Sequence, residues 1–230
     1  MKNLIANISA RLLRASLTRI SSDLELLSET QAAYSSAEYI NRYMYKAKPC
    51  NNGDEVLQLA CDVAKQSVEG HIIELGVYKG TSLKKLGTYF KNQTVDGFDT
   101  FTGLPEAWRH GFQSGTFDVS SENIDVPENC KLHKGLFDET LPFFIKRSTK
   151  PARLIHVDCD LYSSTASAFN ILSPIIMPGT VILFDEFFNY PGWQEHEFKA
   201  FNEFMEKENR SCQYLAYNKI GQQVAIIMTS

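Results

Sequence analysis

What most narrows the fold of this chain is a set of four short apolar runs, each closed by a carboxylate: HIIE ending at Glu74, TVDGFD at Asp99, RLIHVD at Asp158 and TVILFD at Asp185. Runs of this length, dominated by Ile, Leu, Val and Phe, are the signature of strands covered on both faces. Such strands build a parallel sheet flanked by helices, and their carboxyl ends open onto one crevice where ligands bind. Acids are unfavourable to bury without partners, so the four are expected to face a cofactor, a cation or hydroxyl groups.

The rest of the pattern fits that frame. Strands are predicted at 71–75, 94–99, 130–134, 153–158 and 180–185, and helices at 55–65, 81–89, 141–147, 164–172 and 193–207. Their alternation implies right-handed βαβ units. Near the C-terminus CQYLAYN and QQVAIIM are separated only by Lys219, Ile220 and Gly221, which predicts a hairpin with an antiparallel strand. The expected architecture is an α/β sandwich around a mostly parallel seven-stranded sheet with a C-terminal antiparallel hairpin. Residues 1–49 read as a helical appendage, with a break and cap at Ser21, Ser22 and Asp23, and residues 50–230 as the ligand-binding domain.

Composition excludes several classes. A net charge of −4 argues against a nucleic-acid-binding surface and for a small-molecule partner. The cysteines Cys50, Cys61, Cys130, Cys159 and Cys212 form no CxxC pair, which points to a reducing cytoplasm rather than a disulfide framework or a zinc site. No run approaches the ~18 apolar residues of a membrane span. The first 19 residues do carry Lys2, Arg11, Arg14 and Arg19 without an acid, and Leu4, Ile5, Ile8, Leu12 and Leu13 at helical spacing. This amphipathic segment is expected to pack on the domain or on a second subunit, with docking to a membrane surface as the alternative. A homo-oligomer would give it something to cover.

The segment ELGVYKGTS marks a strand-to-helix turn. Gly76 and Gly80 permit a close backbone approach, and Thr81 and Ser82 begin a helix whose free N–H groups await an acceptor. The GxGxxG of dinucleotide folds is missing, because Tyr78 holds the middle position. Glu74 is suited to an ammonium group rather than a pyrophosphate. Asp99, 25 positions further on, is spaced to grip ribose hydroxyls or, alternatively, to cap the turn at 100–103. A connection of about 30 residues, 100–129, carries Phe101, Trp108, Phe112 and Phe117 and is expected to be a lid or an ordered aromatic flap.

HVDCDLYSST and LFDEF bring Asp158 and Asp160 to one strand end and Asp185 and Glu186 to the next. Two carboxylates ~4 Å apart repel by roughly 4 kcal/mol at an effective dielectric of about 20. Either one stays protonated or a hard cation, magnesium, calcium or manganese, lies between them. Asp158-Cys159-Asp160 also reads as the DxD of a metal-dependent glycosyltransferase, and a non-catalytic cofactor-binding module is the third alternative. His196 is a candidate base or substrate contact, and mid-strand His156 reads as a core residue.

ELGVYKGTS, FDTFTGLPE, HKGLFDETLP, HVDCDLYSST and GTVILFDEF, in this order and spacing, resemble the S-adenosylmethionine-dependent O-methyltransferases of the macrocin O-methyltransferase (TylF-type) family over about residues 70–190. The resemblance implies a class I methyltransferase, Rossmann-like sandwich and magnesium-assisted methylation of a hydroxyl on a small molecule or natural-product sugar. It assigns Glu74, Gly76 and Ser82 to the methionine part of the cofactor, Asp99 to the ribose, and Gly135 and Phe137 to the adenine side. Tyr78, Gly80, Thr81, Phe101 and Asp158 join them as cofactor contacts. Asp158, Asp185 and Glu186 become metal ligands, with Asp158 or Asp160 taking the proton of the attacking hydroxyl. The chain departs from the family where Glu186 replaces a second aspartate. Residues 1–48 and those after Tyr190 carry no family signal, and substrate choice is expected there.

Overall fold

Eight strands form one sheet: β1 Lys48–Cys50, β2 His71–Leu75, β3 Val95–Asp99, β4 Cys130–Lys134, β5 Ala152–Val157, β6 Val181–Phe184, β7 Cys212–Asn218 and β8 Val224–Met228. The computed structural model that defines them describes residues 22–119, 124–147 and 150–230, with Ile8, Arg11, Ala15, Ser16, Thr18 and Arg19. Most of the basic amphipathic segment, including Leu4, Ile5, Leu12, Leu13 and Arg14, lies outside the described residues.

The strand order is β1-β7-β8-β6-β5-β2-β3-β4. Every neighbouring pair is parallel except β6 with β8 and β7 with β8. The seven expected strands and the C-terminal hairpin are present. The eighth strand is a correction to the expected count: KPC, read as loop, pairs in parallel with Ala216–Asn218 of β7. Three residues with a proline at the centre give no period to detect.

Alternation along each strand feeds two cores. Ile73, Ile155, Ile182 and Ile226 point to one face, and Ile72, Leu154, Leu183 and Ala225 to the other. The second face is covered by α2 (Gly53–Gln66) and α3 (Thr81–Tyr89), with α2 contributing Val56, Leu57, Ala60, Cys61 and Ala64 at helical spacing. Asn52 starts α2 by accepting from Glu55 N at 2.9 Å, and Glu55 in return accepts from Asn51 N at 2.9 Å. The first face is covered by α4 (Phe137–Arg147), α5 (Tyr162–Leu172) and α6 (Glu197–Lys207). Sequence reading starts α4 at Leu141, whereas the helix begins at Phe137. In the structure Pro142 lies inside the helix and forgoes one main-chain bond. The helix expected over 193–207 is split: a 3-10 turn at Trp193–Glu195 precedes α6, and His196 between them is non-helical.

The segment set apart as an appendage packs on the domain. Helix α1 (Leu24–Tyr43), capped by Asp23, buries Ala32 and Ser36, and Tyr39 packs against Trp193, Phe198 and Tyr214. The expected boundary after residue 49 falls inside β1. Among the described residues no helix is long and apolar enough to cross a membrane.

Candidate active site

The order of strands reverses between β2 and β5, the topological switch point at which open α/β sheets bind ligands. Main-chain pairing runs one residue past the strand ends there. Gly76 N donates to Phe98 O at 2.9 Å, Asp158 N to Leu75 O at 2.8 Å, Asp185 N to Val157 O at 2.9 Å and Gly135 N to Asp99 O at 3.0 Å. The residues flanking the crevice are therefore held by the sheet itself. Gly76 has φ +90°, and a Cβ on it would lie 1.7 Å from Asp158 O, so only glycine fits between β2 and β5.

Asp99 organises the turn after β2. Its Oδ2 accepts from Val77 N at 2.8 Å and Tyr78 N at 2.9 Å, and its Oδ1 from Phe101 N at 2.7 Å. The turn-capping reading of this acid is what these bonds show, and its side chain also lines the cavity. Gly80, at φ +76°, opens α3 with no side-chain cap, and Thr81 and Ser82 of its first turn line the same cavity. Uncapped N–H groups at a helix start are acceptor-seeking.

The acids form two groups. Asp158, Asp185 and Glu186 each bring a carboxylate oxygen within 4.8 Å of the others, so the longer Glu186 side chain still joins the group. Burial, and then the Asp185 charge, hold Asp158 well above the usual carboxylate range. Burial followed by the Asp158 and Asp185 charges does the same to Glu186, whose Oε2 is buried without a hydrogen bond. Asp185 Oδ1 accepts from Gln223 Nε2 at 3.0 Å. Asp160 is raised to about 6, chiefly by burial, with Arg109 opposing the rise. An orphaned oxygen in an all-oxygen, mutually repelling set fits a hard divalent cation.

Glu74 belongs to the second group. It precedes the last residue of β2, so alternation turns its side chain into the α2/α3 face, where it is fully buried and absent from the cavity lining. Its register partner His156 donates from Nδ1 to Glu74 Oε1 at 2.8 Å. Burial alone would lower His156. Glu74's hydrogen bond and charge outweigh it, with Asp158 and Asp185 adding to them, and the imidazole is pushed up to about 9. Glu74 is thus held by His156 within the core, with its Oε2 buried and unpartnered, behind the cavity wall rather than in it.

The cavity measures about 370 Å³, within the range of small-molecule sites. Of the residues that sequence reading singled out for the site, Gly76, Tyr78, Thr81, Ser82, Asp99, Phe137, Asp158, Asp160 and Glu186 line it. Gly80, Phe101, Gly135, Asp185 and His196 do not. Phe101 is buried in the α2/α3 core, Gly80 and Gly135 shape turns, and Asp185 contributes through its neighbours. His196 stands behind the wall, against Trp108 and Tyr190, and burial lowers its pKa.

Two residues escaped the sequence reading. Residues 100–119 of the long connection are folded, with a bridge between Thr102 and Asp118 and with Trp108, Phe112 and Phe117 over the cavity. Arg109 lies within it, its guanidinium 3.9 Å from the Trp108 ring and 4.9 Å from Tyr190, its Nε buried without a partner. Glu197, on α6, accepts from Cys159 N and Asp160 N. Neither position has a local motif.

A parallel sheet closed by an antiparallel hairpin, with a glycine turn after β2 and acids after β5 and β6, is the framework of the class I methyltransferase fold. The chain belongs to the macrocin-O-methyltransferase (TylF) family, whose model matches residues 52–211. Demethyldecarbamoylnovobiocin O-methyltransferase of Streptomyces niveus is 23% identical over 164 residues, and the chain spans about 60% of that relative's length, with 60% of its own covered. Two solved structures show the same fold. CalS11, a calicheamicin methyltransferase, has a TM-score of 0.59 at 24% identity over 76% of each chain. The O-methyltransferase NovP has a TM-score of 0.59 at 21% identity over 77% of this chain and 79% of its own. MycE of the mycinamycin pathway, solved with Mg and SAH, gives 0.51 at 15% identity over 75% of this chain and 48% of its own.

Proposed function

We propose that this chain transfers a methyl group from S-adenosylmethionine to a hydroxyl of a natural-product sugar, with a divalent cation, magnesium by preference, at Asp158, Asp185 and Glu186. The observation that carries this reading is that one cavity is lined both by the turn residues Gly76, Tyr78, Thr81 and Ser82, with Asp99 and Phe137, and by the acids Asp158, Asp160 and Glu186. When bound, the donor supplies an electrophilic methyl on a sulfonium and the cation lowers the pKa of a hydroxyl beside it. Gly76 and Tyr78 bring main chain close to the donor, and the one lone pair left on Asp99, on Oδ1, accepts from its ribose. Asp160, at about 6, is matched to holding a proton near neutral pH. Trp108 and Phe112 exclude water from above. Aligning two reactants in this way supplies about 7–11 kcal/mol of the barrier reduction. The description of CalS11 as a TDP-rhamnose 3'-O-methyltransferase supports a sugar hydroxyl as acceptor.

Calorimetric titration with S-adenosylhomocysteine, with and without Mg²⁺, followed by labelled-methyl transfer to a panel of nucleotide-activated and glycosidic deoxysugars, tests the reading. Binding of the product analogue and chelator-sensitive labelling are expected. No binding at millimolar concentration rejects the reading outright.

A further inference from the structure

Glu197 is fully buried in the first turn of α6, next to the histidine that sequence reading singled out. Its Oε1 accepts from Cys159 N at 3.3 Å and Asp160 N at 3.2 Å. The sheet cannot serve these two amides. Its last bond on this strand is Asp158 N to Leu75 O, and neither the Cys159 nor the Asp160 amide has a main-chain acceptor. They belong to a tight turn in which Leu161 N donates to Cys159 O at 2.6 Å around Asp160, whose φ is +63°. A three-residue turn about a residue of positive φ is the rare and strained form, in which the Cβ crowds the main chain. Strain of this kind persists only where surrounding contacts over-determine it.

We propose that Glu197 is the positioning residue of the acidic half of the site, holding the strained turn so that the Asp160 carboxylate enters the cavity. The support for α6 is rigid: Phe169 of α5 stacks on Phe204 at 5.1 Å and meets Phe201 at 6.0 Å. Without an acceptor at position 197, two buried N–H groups are left unpaired and the turn relaxes toward negative φ, which swings the Asp160 side chain out of line. The inference rests on the methyl-transfer reading only for the role of Asp160 as proton acceptor.

Three variants isolate the acceptor. Glu197→Gln keeps an oxygen at the same reach, Glu197→Met keeps the volume without the oxygen, and Glu197→Asp keeps the carboxyl but falls one methylene short. The first readout is amide hydrogen exchange at Cys159 and Asp160, which needs no turnover. Glu197→Gln is expected to keep both amides protected, whereas Met and Asp variants lose protection about tenfold or more. In the second readout Glu197→Gln retains kcat within about threefold, while Met and Asp variants lose roughly 100-fold in kcat with KM for S-adenosylmethionine nearly unchanged. Unaltered protection in the Met and Asp variants overturns the proposal, as does a Gln variant as impaired as Met. If Met prevents folding, the Asp and Gln pair decides. A wild-type chain without turnover on any acceptor removes the methyl-transfer reading and leaves the exchange result to judge this one.

Discussion

Replacing Asp185 by asparagine should stabilise the metal-free chain while removing its response to Mg²⁺. The three carboxylates of the acidic group approach within 4.8 Å. At an effective dielectric of about 20, each ionised pair at that separation repels by ~3.5 kcal/mol. Full ionisation of all three would exceed 10 kcal/mol or so, comparable with the whole stability of a domain, about 5–15 kcal/mol. The site therefore retains protons, which is why Asp158 and Glu186 lie well above the ordinary range. Holding a proton at pH 7 on a carboxyl of ordinary pKa near 4 costs about 4 kcal/mol, and this caps the gain from removing one charge. Asp185 is only half-buried, so solvent screening reduces the expected gain to roughly 2 kcal/mol. An asparagine Oδ1 can still accept from Gln223 Nε2, which leaves the packing intact.

For a chain of this size that gain corresponds to a rise of about 4–8 °C in Tm in the presence of a chelator. Mg²⁺ at 100 times its Kd stabilises the wild type by about 2.7 kcal/mol and should close the gap, while the variant stays put. The pH dependence has a definite sign. Carboxyls raised on folding favour the native state below their unfolded values, and that contribution is lost as pH rises through the folded values. For Asp160 the window runs from 3.8 to about 6. His156, at 6.5 unfolded and about 9 folded, extends the decline to alkaline pH. The advantage of Asp185→Asn is therefore larger at pH 8 than at pH 5. Thermal scans in chelator at both values, repeated with Mg²⁺, suffice. A variant no more stable than wild type in chelator, or one that gains equally from Mg²⁺, would refute the reasoning.

Three further outcomes are expected. Gly76→Ala places a methyl 1.7 Å from Asp158 O at φ +90°, so stability falls by about 3 kcal/mol or more and S-adenosylhomocysteine binding is lost; calorimetry detecting wild-type affinity contradicts this. His156→Leu strands Glu74 in the core and costs about 3–5 kcal/mol in urea unfolding, and a loss under about 1 kcal/mol means the pair is not ionised. Arg109→Gln removes the cation that holds Asp160 down, so the acidic limb of the kcat/KM profile moves up from about 6; an unmoved limb excludes Asp160 as the titrating group.

The strands were legible because runs such as RLIHV are apolar on both sides and need no alternation to be recognised. The same feature hid Glu74. With Ile72 and Ile73 both apolar, nothing in HIIEL reveals which face the acid takes, and only the register with His156 shows that it turns away from the crevice. Asp99, Asp158 and Glu186 could be placed at the crevice because each stands at or just beyond a strand end, where sheet topology dictates position. Glu197 reads as one more acid on a polar helix, since its partners are main-chain amides and carry no side-chain signature. Arg109 lies in a connection without period, and its aromatic neighbours come from both the loop itself and residue 190.

The eighth strand has a consequence for how copies of this chain avoid one another. Without it, β7 would present a seven-residue row of free N–H and C=O groups, a template on which a foreign strand can polymerise. β1 covers three positions of that row and, with Pro49 at its centre, offers an outer rim that lacks a donor where a newcomer would need one. At the opposite rim β4 carries Lys131 and Lys134, charges that repel an identical neighbour. A shortened chain starting after Cys50 would unmask both β7 and the aromatic face that Tyr39 of α1 covers, so its expected fault is aggregation.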